Sequence, residues 1–543
     1  MSEAAPRLSL RRVGAMVAVI GTVITTALHV TFGLSAGALW RDEVNSLNIA
    51  TMSSFSELWS YLIFDSFPAL FFVLLRGFAG LPAATSDTGL RIFGVAIGLL
   101  IIGAVWLNAR WLRFGFPLIS LALIGFNPMV ICYGDSIRAY GLGMLLLLLT
   151  MGAMWRLVEK GSVGRLLFAL TTAVLSVQCL YYNSFLLFAI CVGAAAVSWS
   201  RREYQRVFVI LGIGGIAALS MLIYLPTIEK VKATQFLWKG NFTVEKFWLK
   251  LSGTLGSPLA SFAWLWVVLF VVAVAAASWY LSRQAETAEA SAAKGPLLFG
   301  ALTLFIGSAA YFGFLFHLSY ETQPWYYVVY VAFAATSLET VFASLPGRQW
   351  AFRSALGILC IGLSWEPAWA ASKIRQTNVD FIADRLDSLA SERDLILINT
   401  SNYGISLSRY YHGQVEWMSV PPVSDLRCHR CDLVKLDMMS DRPLGSVIGK
   451  IMRTLEGGHT VWLVGGANFV PPKTFPLVLA PGFDGPDGWV GGDFYRSWSE
   501  QIGFLLQTHA RLMSRVPVSP RNGQLVSRYE NLPLTAFRGW RQL

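Results

Sequence analysis

Charged residues are few. Asp, Glu, Lys and Arg make up 14% of the 543 residues, where a soluble domain carries roughly 25%, so the chain is not one ordinary water-soluble globule. Cysteine is also sparse. Of six, Cys132, Cys179, Cys191 and Cys360 lie in or beside apolar runs and read as packing residues. Only Cys428 and Cys431 lie elsewhere, which fits a bacterial periplasmic domain. No inverted repeat of the kind many transporters carry is visible, and polar residues deep inside the apolar runs are rare. Gly465-Gly466 follows a strand-like run but lacks the rest of a glycine fingerprint, so it reads as a turn rather than a phosphate loop.

What the chain has instead is hydrophobic residues, 55% of the total. Runs of about 17–23 apolar residues recur, each long enough to cross a bilayer. The chain therefore reads as a polytopic α-helical membrane protein. Its formal net charge of +11 lies largely in short loops between runs, as the positive-inside rule expects, and needs no nucleic acid to explain it. Spans are expected at about 13–34, 89–109, 116–133, 139–157, 165–181, 183–200, 206–225, 259–281, 296–317, 325–343 and 350–369, about eleven transmembrane helices. Arg110/Arg113, Arg156/Lys160/Arg165, Arg201/Arg202/Arg206, Arg283/Lys294 and Arg348/Arg353 then fall in alternate loops, assigned to the cytoplasm. That register requires the run from Phe67 to Leu81, about fifteen residues, to lie along the interface rather than cross. The N-terminus is then cytoplasmic. Arg7, Arg11 and Arg12 before an apolar run, with Ala36-Gly37-Ala38 after it, would also suit a signal peptide. The length of the run favours an uncleaved first span.

From about Ala371 the composition turns soluble. An amphipathic helix over Val379–Leu389, a buried strand over Asp394–Asn399, a helix over Leu444–Leu455, a strand over Thr460–Val464 and a helix over Trp498–Met513 imply a C-terminal periplasmic α/β domain. The expected division is 1–370, a transmembrane domain with a first outer loop at 35–88, and 371–543, the α/β domain. In an oxidising compartment Cys428 and Cys431, spaced C-x-x-C, are expected to form a disulfide. A redox or zinc role would need a thioredoxin-like context or two more ligands.

Several charged groups sit where packing does not require them. Trp40-Arg41-Asp42-Glu43 follows the first span, and such a run is costly unless it pairs, faces water or does chemistry. Asp42 and Glu43 read either as partners of Arg41 or Arg91 or as a general base for an acceptor hydroxyl. Asp65 stands before Pro68, and the two have a complete account as the start of a helix. In Tyr133-Gly134-Asp135-Ser136-Ile137-Arg138-Ala139-Tyr140, Arg138 suits a phosphate through bidentate hydrogen bonds, the alternative being a surface pair with Asp135. Arg76, Arg91, Lys230, Lys232 and Lys239 are further outer-side cations, which makes an anionic ligand or lipid headgroup plausible. An aromatic belt accounts for Trp325 to Tyr327, though not for Glu321.

These segments, in this order, resemble the GT-C superfamily of membrane glycosyltransferases, in particular the branch holding protein O-mannosyltransferases and bacterial aminoarabinose (lipid A) transferases. An acidic pair in the first outer loop is matched by Asp42-Glu43. An Asp…Pro-Pro-Leu-Tyr segment is matched by Asp65, Pro68, Leu70 and Phe71. The start of the next span is matched loosely by Arg91-Ile92-Phe93-Gly94, a Tyr…Arg-Pro-Tyr segment by Tyr133, Arg138 and Tyr140, and a later Tyr-Tyr by Tyr181-Tyr182. The match covers about residues 10–345. Ala69 replaces the second proline, Asp135-Ser136 shifts the acidic position by one, and no histidine accompanies Asp65.

The resemblance implies a GT-C-like fold and an inverting transfer of a sugar from a polyprenyl-phosphate donor to an acceptor hydroxyl. The acceptor would be a glycolipid, a glycan or a protein at the periplasmic face of a bacterial inner membrane. Asp42 would be the base. Arg138, with Arg76, Arg91 or Lys232, would bind the donor phosphate. Asp65, Asp135, Tyr140, Tyr182, Glu321 and Tyr327 would line the acceptor site, and Glu43 or Glu321 would orient the acceptor or hold a divalent cation. A transporter or flippase of a lipid-linked anion is the rival expectation, and a non-enzymatic assembly or sensor protein is a third.

Overall fold

The computed structural model describes residues 4–233, 243–256, 260–284, 287–319, 322–347, 349–471, 473–482, 491–518, 520 and 523–542. It divides into two compact units. The first comprises Met1–Leu34, Phe67–Pro226 and Asn241–Ser372, and the second comprises Ser35–Ser66, Thr227–Gly240 and Lys373–Leu543. Residues 35–66 of the expected first outer loop thus belong with the C-terminal part of the chain.

The first unit is helical. Among the described residues, eight helices are long and apolar enough to cross a membrane: Leu10–Ser35, Asp87–Trp111, Ala139–Glu159, Asn183–Ser200, Tyr204–Lys232, Ser261–Ser282, Ser291–Leu318 and Pro324–Ser344. Two more expected spans are helices of 17 residues, Val163–Cys179, and 24 residues, Gln349–Ser372. The eleventh, 116–133, is corrected: it is not one helix but two short ones, Ile119–Gly125 and Pro128–Gly134. The break has a local cause. Asn127 Oδ1 accepts from the backbone N–H groups of Met129 (2.9 Å) and Val130 (3.0 Å), and Pro128 occupies the first helical position, so a new helix starts there. The run after Phe67 forms Ala69–Ala79, eleven residues, too short to span. Ala139–Glu159 and Pro324–Ser344 are the most enclosed spans. Others expose large apolar side chains such as Phe208, Leu219, Trp264 and Val271, as lipid contact requires.

One ion pair ties three elements of this unit. Glu339 and Arg353 are both fully buried, with Arg353 Nε 2.7 Å from Glu339 Oε1. The second oxygen of Glu339 accepts from the backbone N–H groups of Ile119 (2.6 Å) and Ser120 (2.8 Å). The Arg353 guanidinium also donates to the carbonyls of Phe114 (3.1 Å) and Phe116 (2.6 Å). The pair thus stands in for the hydrogen bonds that the start of Ile119–Gly125 cannot make internally.

The second unit contains a mixed sheet. Its strands are β1 (Leu395–Asn399), β2 (Trp417–Val420), β3 (Val461–Val464), β4 (Ala510–Val516) and β5 (Leu534–Trp540), in the order β2-β1-β3-β5-β4. β1 pairs in parallel with β2 and β3, while β5 runs antiparallel to β3 and β4. Alternation along β1 decides its packing. Leu395 and Leu397 join Val447, Ile451, Trp498 and Ile502 on one face, and Ile396 and Ile398 join Val379, Ile382, Leu386 and Leu407 on the other. An unbroken apolar strand is what a parallel sheet covered on both faces needs. The expected helix ending at Met513 is corrected: Gly491–His509 is helical, and Ala510 begins the edge strand β4.

Two stability predictions follow from these contacts. Glu339→Ala or Arg353→Met alone leaves a buried charge unpartnered and is expected to cost about 3–5 kcal/mol, whereas Glu339→Leu combined with Arg353→Met costs less; thermal unfolding of the purified protein distinguishes the two. In the second unit, burial pushes the carboxyl of Asp437 up to about 6. The folded state thus holds this proton more tightly than the unfolded chain. The stability linked to the bound proton is full below the ordinary carboxylate range and lost as pH rises through about 6. Asp437→Asn should therefore stabilise the protein by about 1 kcal/mol near pH 7, allowing for solvent screening, and by nothing at about pH 2.

Candidate functional site

In the second unit the site begins with the helix Arg41–Ala50. Glu43, at its third position, is fully buried, and its Oε2 accepts from the backbone N–H of Trp40 at 3.3 Å, the return half of a capping arrangement. Arg41 is anchored on Glu530: its backbone N–H (3.0 Å) and Nη1 (3.3 Å) both reach Glu530 Oε2, and Nη1 donates to the Tyr529 carbonyl at 2.9 Å. Burial pushes the Glu530 carboxyl up, and Arg41 acts against that rise. Arg41 Nε also lies 3.6 Å from Asp42 Oδ1, so the structural partner expected for Asp42 is partly present.

Asp42 has a second neighbour that sequence reasoning missed. His429 Nε2 lies 3.2 Å from Asp42 Oδ1, across 387 residues of chain. The ring's Nδ1 is 3.4 Å from Asn402 Oδ1, and the backbone N–H of His429 donates to Asn45 Oδ1 at 2.9 Å. Asn45 in turn donates to Asp65 Oδ2 at 2.9 Å. The structure thus brings Asp42 and Asp65 into one network through Asn45 and His429. Asp65 does not cap Ala69–Ala79, since Pro68 holds that position. Asp65 instead accepts from Asn45 and from the backbone N–H of Ser66 at 2.7 Å. The signal that could have found His429 was its position between two cysteines in the C-terminal segment, which drew attention to the thiols alone.

The expected disulfide is corrected. Cys428 and Cys431 are free thiols with different surroundings. Cys428 is buried, near Asp425 and Asp65, and burial pushes its thiol up. Cys431 opens the helix Cys431–Met438 near Tyr495, and burial pushes it up to about 11. Arg430 between them is pinned to Asp425 at 2.6 Å and Asp432 at 2.7 Å.

In the first unit Arg138 is the N-cap of Ala139–Glu159 and 7% exposed. Its guanidinium lies 4.5 Å over the Phe67 ring. Tyr140 meets the same ring edge-on, with centroids 5.1 Å apart. Tyr182 is within electrostatic reach of Arg138 and packs edge-on against Tyr311 at 5.9 Å. The Tyr182 hydroxyl is buried without a hydrogen-bond partner among the described residues. Tyr311 donates to the Tyr326 carbonyl at 2.7 Å, and the Tyr327 hydroxyl meets Thr322 Oγ1 at 2.8 Å. Arg138, Tyr140, Tyr182 and Tyr327 therefore form one aromatic, cationic cluster.

Other expected members lie elsewhere. Asp135 is buried with both carboxylate oxygens 2.7–2.8 Å from His29 Nδ1, and Arg91, also buried, is within its electrostatic reach. The expected alternative, a surface pair of Asp135 with Arg138, is therefore replaced by a buried pair with His29. Gly98 permits it: a Cβ there would fall 2.0 Å from Asp135 Oδ1. Arg76 is half-buried in the last turn of Ala69–Ala79, and Lys232 is exposed on Leu225–Ala233. Glu321 and Lys239 lie outside the described residues. Among the described residues no group of three or more His, Cys, Asp or Glu side chains could hold a metal ion.

No protein-family model matches the sequence, and no curated protein matches it in sequence. Solved structures do match. ArnT from Cupriavidus metallidurans bound to undecaprenyl phosphate is similar at a TM-score of 0.51 and 11% identity, over 95% of this chain and 97% of that one. The apo state of the same protein gives the same values. An oligosaccharyltransferase of Archaeoglobus fulgidus, in complex with Zn and sulfate, is similar at a TM-score of 0.44 and 13% identity, over 82% of this chain and 67% of that one. The likeness to ArnT along nearly the whole of both chains shows a shared fold, which in this chain is a multi-pass helical unit and a C-terminal α/β unit.

The capping geometry separates the two adjacent acids. Glu43→Gln keeps the acceptor oxygen and should leave thermal stability within about 0.5 kcal/mol, while Glu43→Ala should lower it by about 1 kcal/mol.

Proposed function

With the fold shared with ArnT as premise, we propose that the protein is a GT-C-like inverting glycosyltransferase that moves a sugar from a polyprenyl-phosphate donor to an acceptor hydroxyl on a glycolipid, glycan or protein. The reading rests chiefly on Arg138. A guanidinium buried at a helix start, laid on Phe67 and flanked by Tyr140 and Tyr182, suits a phosphate whose lipid tail lies in the bilayer. The bound undecaprenyl phosphate named for ArnT supports that donor class.

In the transfer, Asp42 takes the proton as the acceptor O–H bond breaks. The acceptor oxygen bonds to the anomeric carbon from the face opposite the phosphate. The bond from that carbon to the phosphate oxygen breaks, and its electron pair leaves on the polyprenyl phosphate. Arg138 meets the charge that develops on the leaving oxygen. Placement in a bacterial inner membrane, with the N-terminus cytoplasmic and the C-terminal unit periplasmic, follows the distribution of Arg and Lys in the loops. Such a site would act on envelope components.

The test is mass spectrometry of envelope glycolipids and glycoproteins from cells carrying the wild-type gene, a deletion, Asp42→Asn or Arg138→Ala. A single sugar mass present in the wild type and absent in the deletion is expected. Asp42→Asn should lower it by about 100-fold or more, and Arg138→Ala by about 100-fold. Full product from a normally folded Asp42→Asn protein would remove Asp42 as the base, and no product difference between wild type and deletion would remove the transferase reading.

A further inference from the structure

The sheet of the second unit carries its parallel connections on opposite faces of β1. From the central strand β1 the chain reaches β2 through Gly404–Tyr410, whose Leu407 packs on the Ile396 face. From β2 it reaches β3, on the other side of β1, through Cys431–Met438 and Gly445–Glu456, whose Val434 and Ile451 pack on the Leu395 face. The two connections leave the carboxyl ends of the adjacent parallel strands β1 and β2, the end of the strands at which ligands of open α/β sheets bind. Asn402 follows β1 directly, and His429 lies in the connection from β2 to β3. The two meet at that point, with the Asp42 carboxylate on the other side of the imidazole. The helix Arg41–Ala50 packs against Gly404–Tyr410 in the same unit.

The bonding identifies what the imidazole does. Nε2 faces a carboxylate oxygen, which only accepts, so Nε2 carries a hydrogen in either charge state of the ring. It is therefore not the atom that takes a proton from an acceptor. Nδ1 faces Asn402 Oδ1. The backbone of His429 is held as well: Asp42 and Asn45, three residues apart on one helix face, bind its ring and its N–H respectively. Asn45 is itself fixed by Asp65.

We infer that His429 is a positioning residue, whose ring holds the Asp42 carboxylate in place for the acceptor hydroxyl beside the carboxyl ends of β1 and β2. The inference rests on the reading of Asp42 as the base. It makes the C-terminal unit a working part of the transferase rather than an appendage.

Two measurements test it. The full-length protein, 15N-labelled at its six histidines and held in lipid nanodiscs, should give a ring N–H signal protected from exchange. That signal should be absent in His429→Gln, which assigns it, and absent in Asp42→Ala. The same protected signal in Asp42→Ala would overturn the pairing. In cells, His429→Leu should lower the envelope sugar product by about tenfold or more. His429→Gln, which keeps an N–H donor, should restore most of it. Undiminished product in His429→Leu, with none in Asp42→Asn, would overturn positioning and leave the base reading standing. Full product in Asp42→Asn would overturn both.

Discussion

A charge removed from water must find its partner inside the protein, and the sites of this chain follow from where those partners stand. Arg353 and Glu339 answer each other within the helical unit and close the open backbone groups of Ile119, Ser120, Phe114 and Phe116 in doing so. His29 and Asp135 do the same for the loop that ends in Arg138. In the second unit Arg41 and Glu530 fix the entry of the helix that carries Asp42. Two of these pairs join residues 106 and 489 positions apart, and the third joins two consecutive helices and the helix Ile119–Gly125, so each is a tertiary tie and not a local ornament. Breaking one member would cost more than the pair contributes, because the survivor keeps its desolvation penalty.

This constraint also explains which parts of the molecule could be read from sequence. The spans were legible because lipid imposes length and apolarity on each helix separately. Leu395–Asn399 and Val379–Leu389 were legible because burial on two faces, or on one stripe, leaves a periodic mark. The break at Asn127-Pro128 was written in the sequence as a capping signal but was hidden under an apolar run. β2 and β4 left weaker marks: β2 is only four residues long, and β4 is an exposed edge strand, so burial does not dictate their side chains. The spacing of Cys428 and Cys431 suggested a bond, but spacing alone says nothing about the direction of the two thiols, which are free here.

The candidate site divides along the same line. Asp42 and Arg138 could be singled out because a charge beside an apolar run has few bland explanations. Their neighbours could not. His429 and Asn402 reach Asp42 and its network because they follow the carboxyl ends of two adjacent parallel strands, β2 and β1, a property of topology that no local window contains. Asp135 showed the converse. Its position beside Arg138 in sequence suggested a role or a pair there, and a histidine on the first span holds it instead.

Adjacent acids at a helix start need not share a task, and Asp42 and Glu43 divide theirs by side-chain length and position. At the third helical position a glutamate has the reach to curl back to the N–H of the N-cap residue, and Glu43 does so from full burial. An aspartate one residue earlier leaves the helix about 100° away around its axis and is one methylene shorter. Asp42 keeps 15% of its side chain exposed and meets a ring delivered from the far end of the chain. The buried glutamate holds the helix in place, and that placement aims the aspartate. An acid that is partly exposed, held by an imidazole and backed by a rigid cap has the attributes a proton acceptor for a bulky hydroxyl substrate needs.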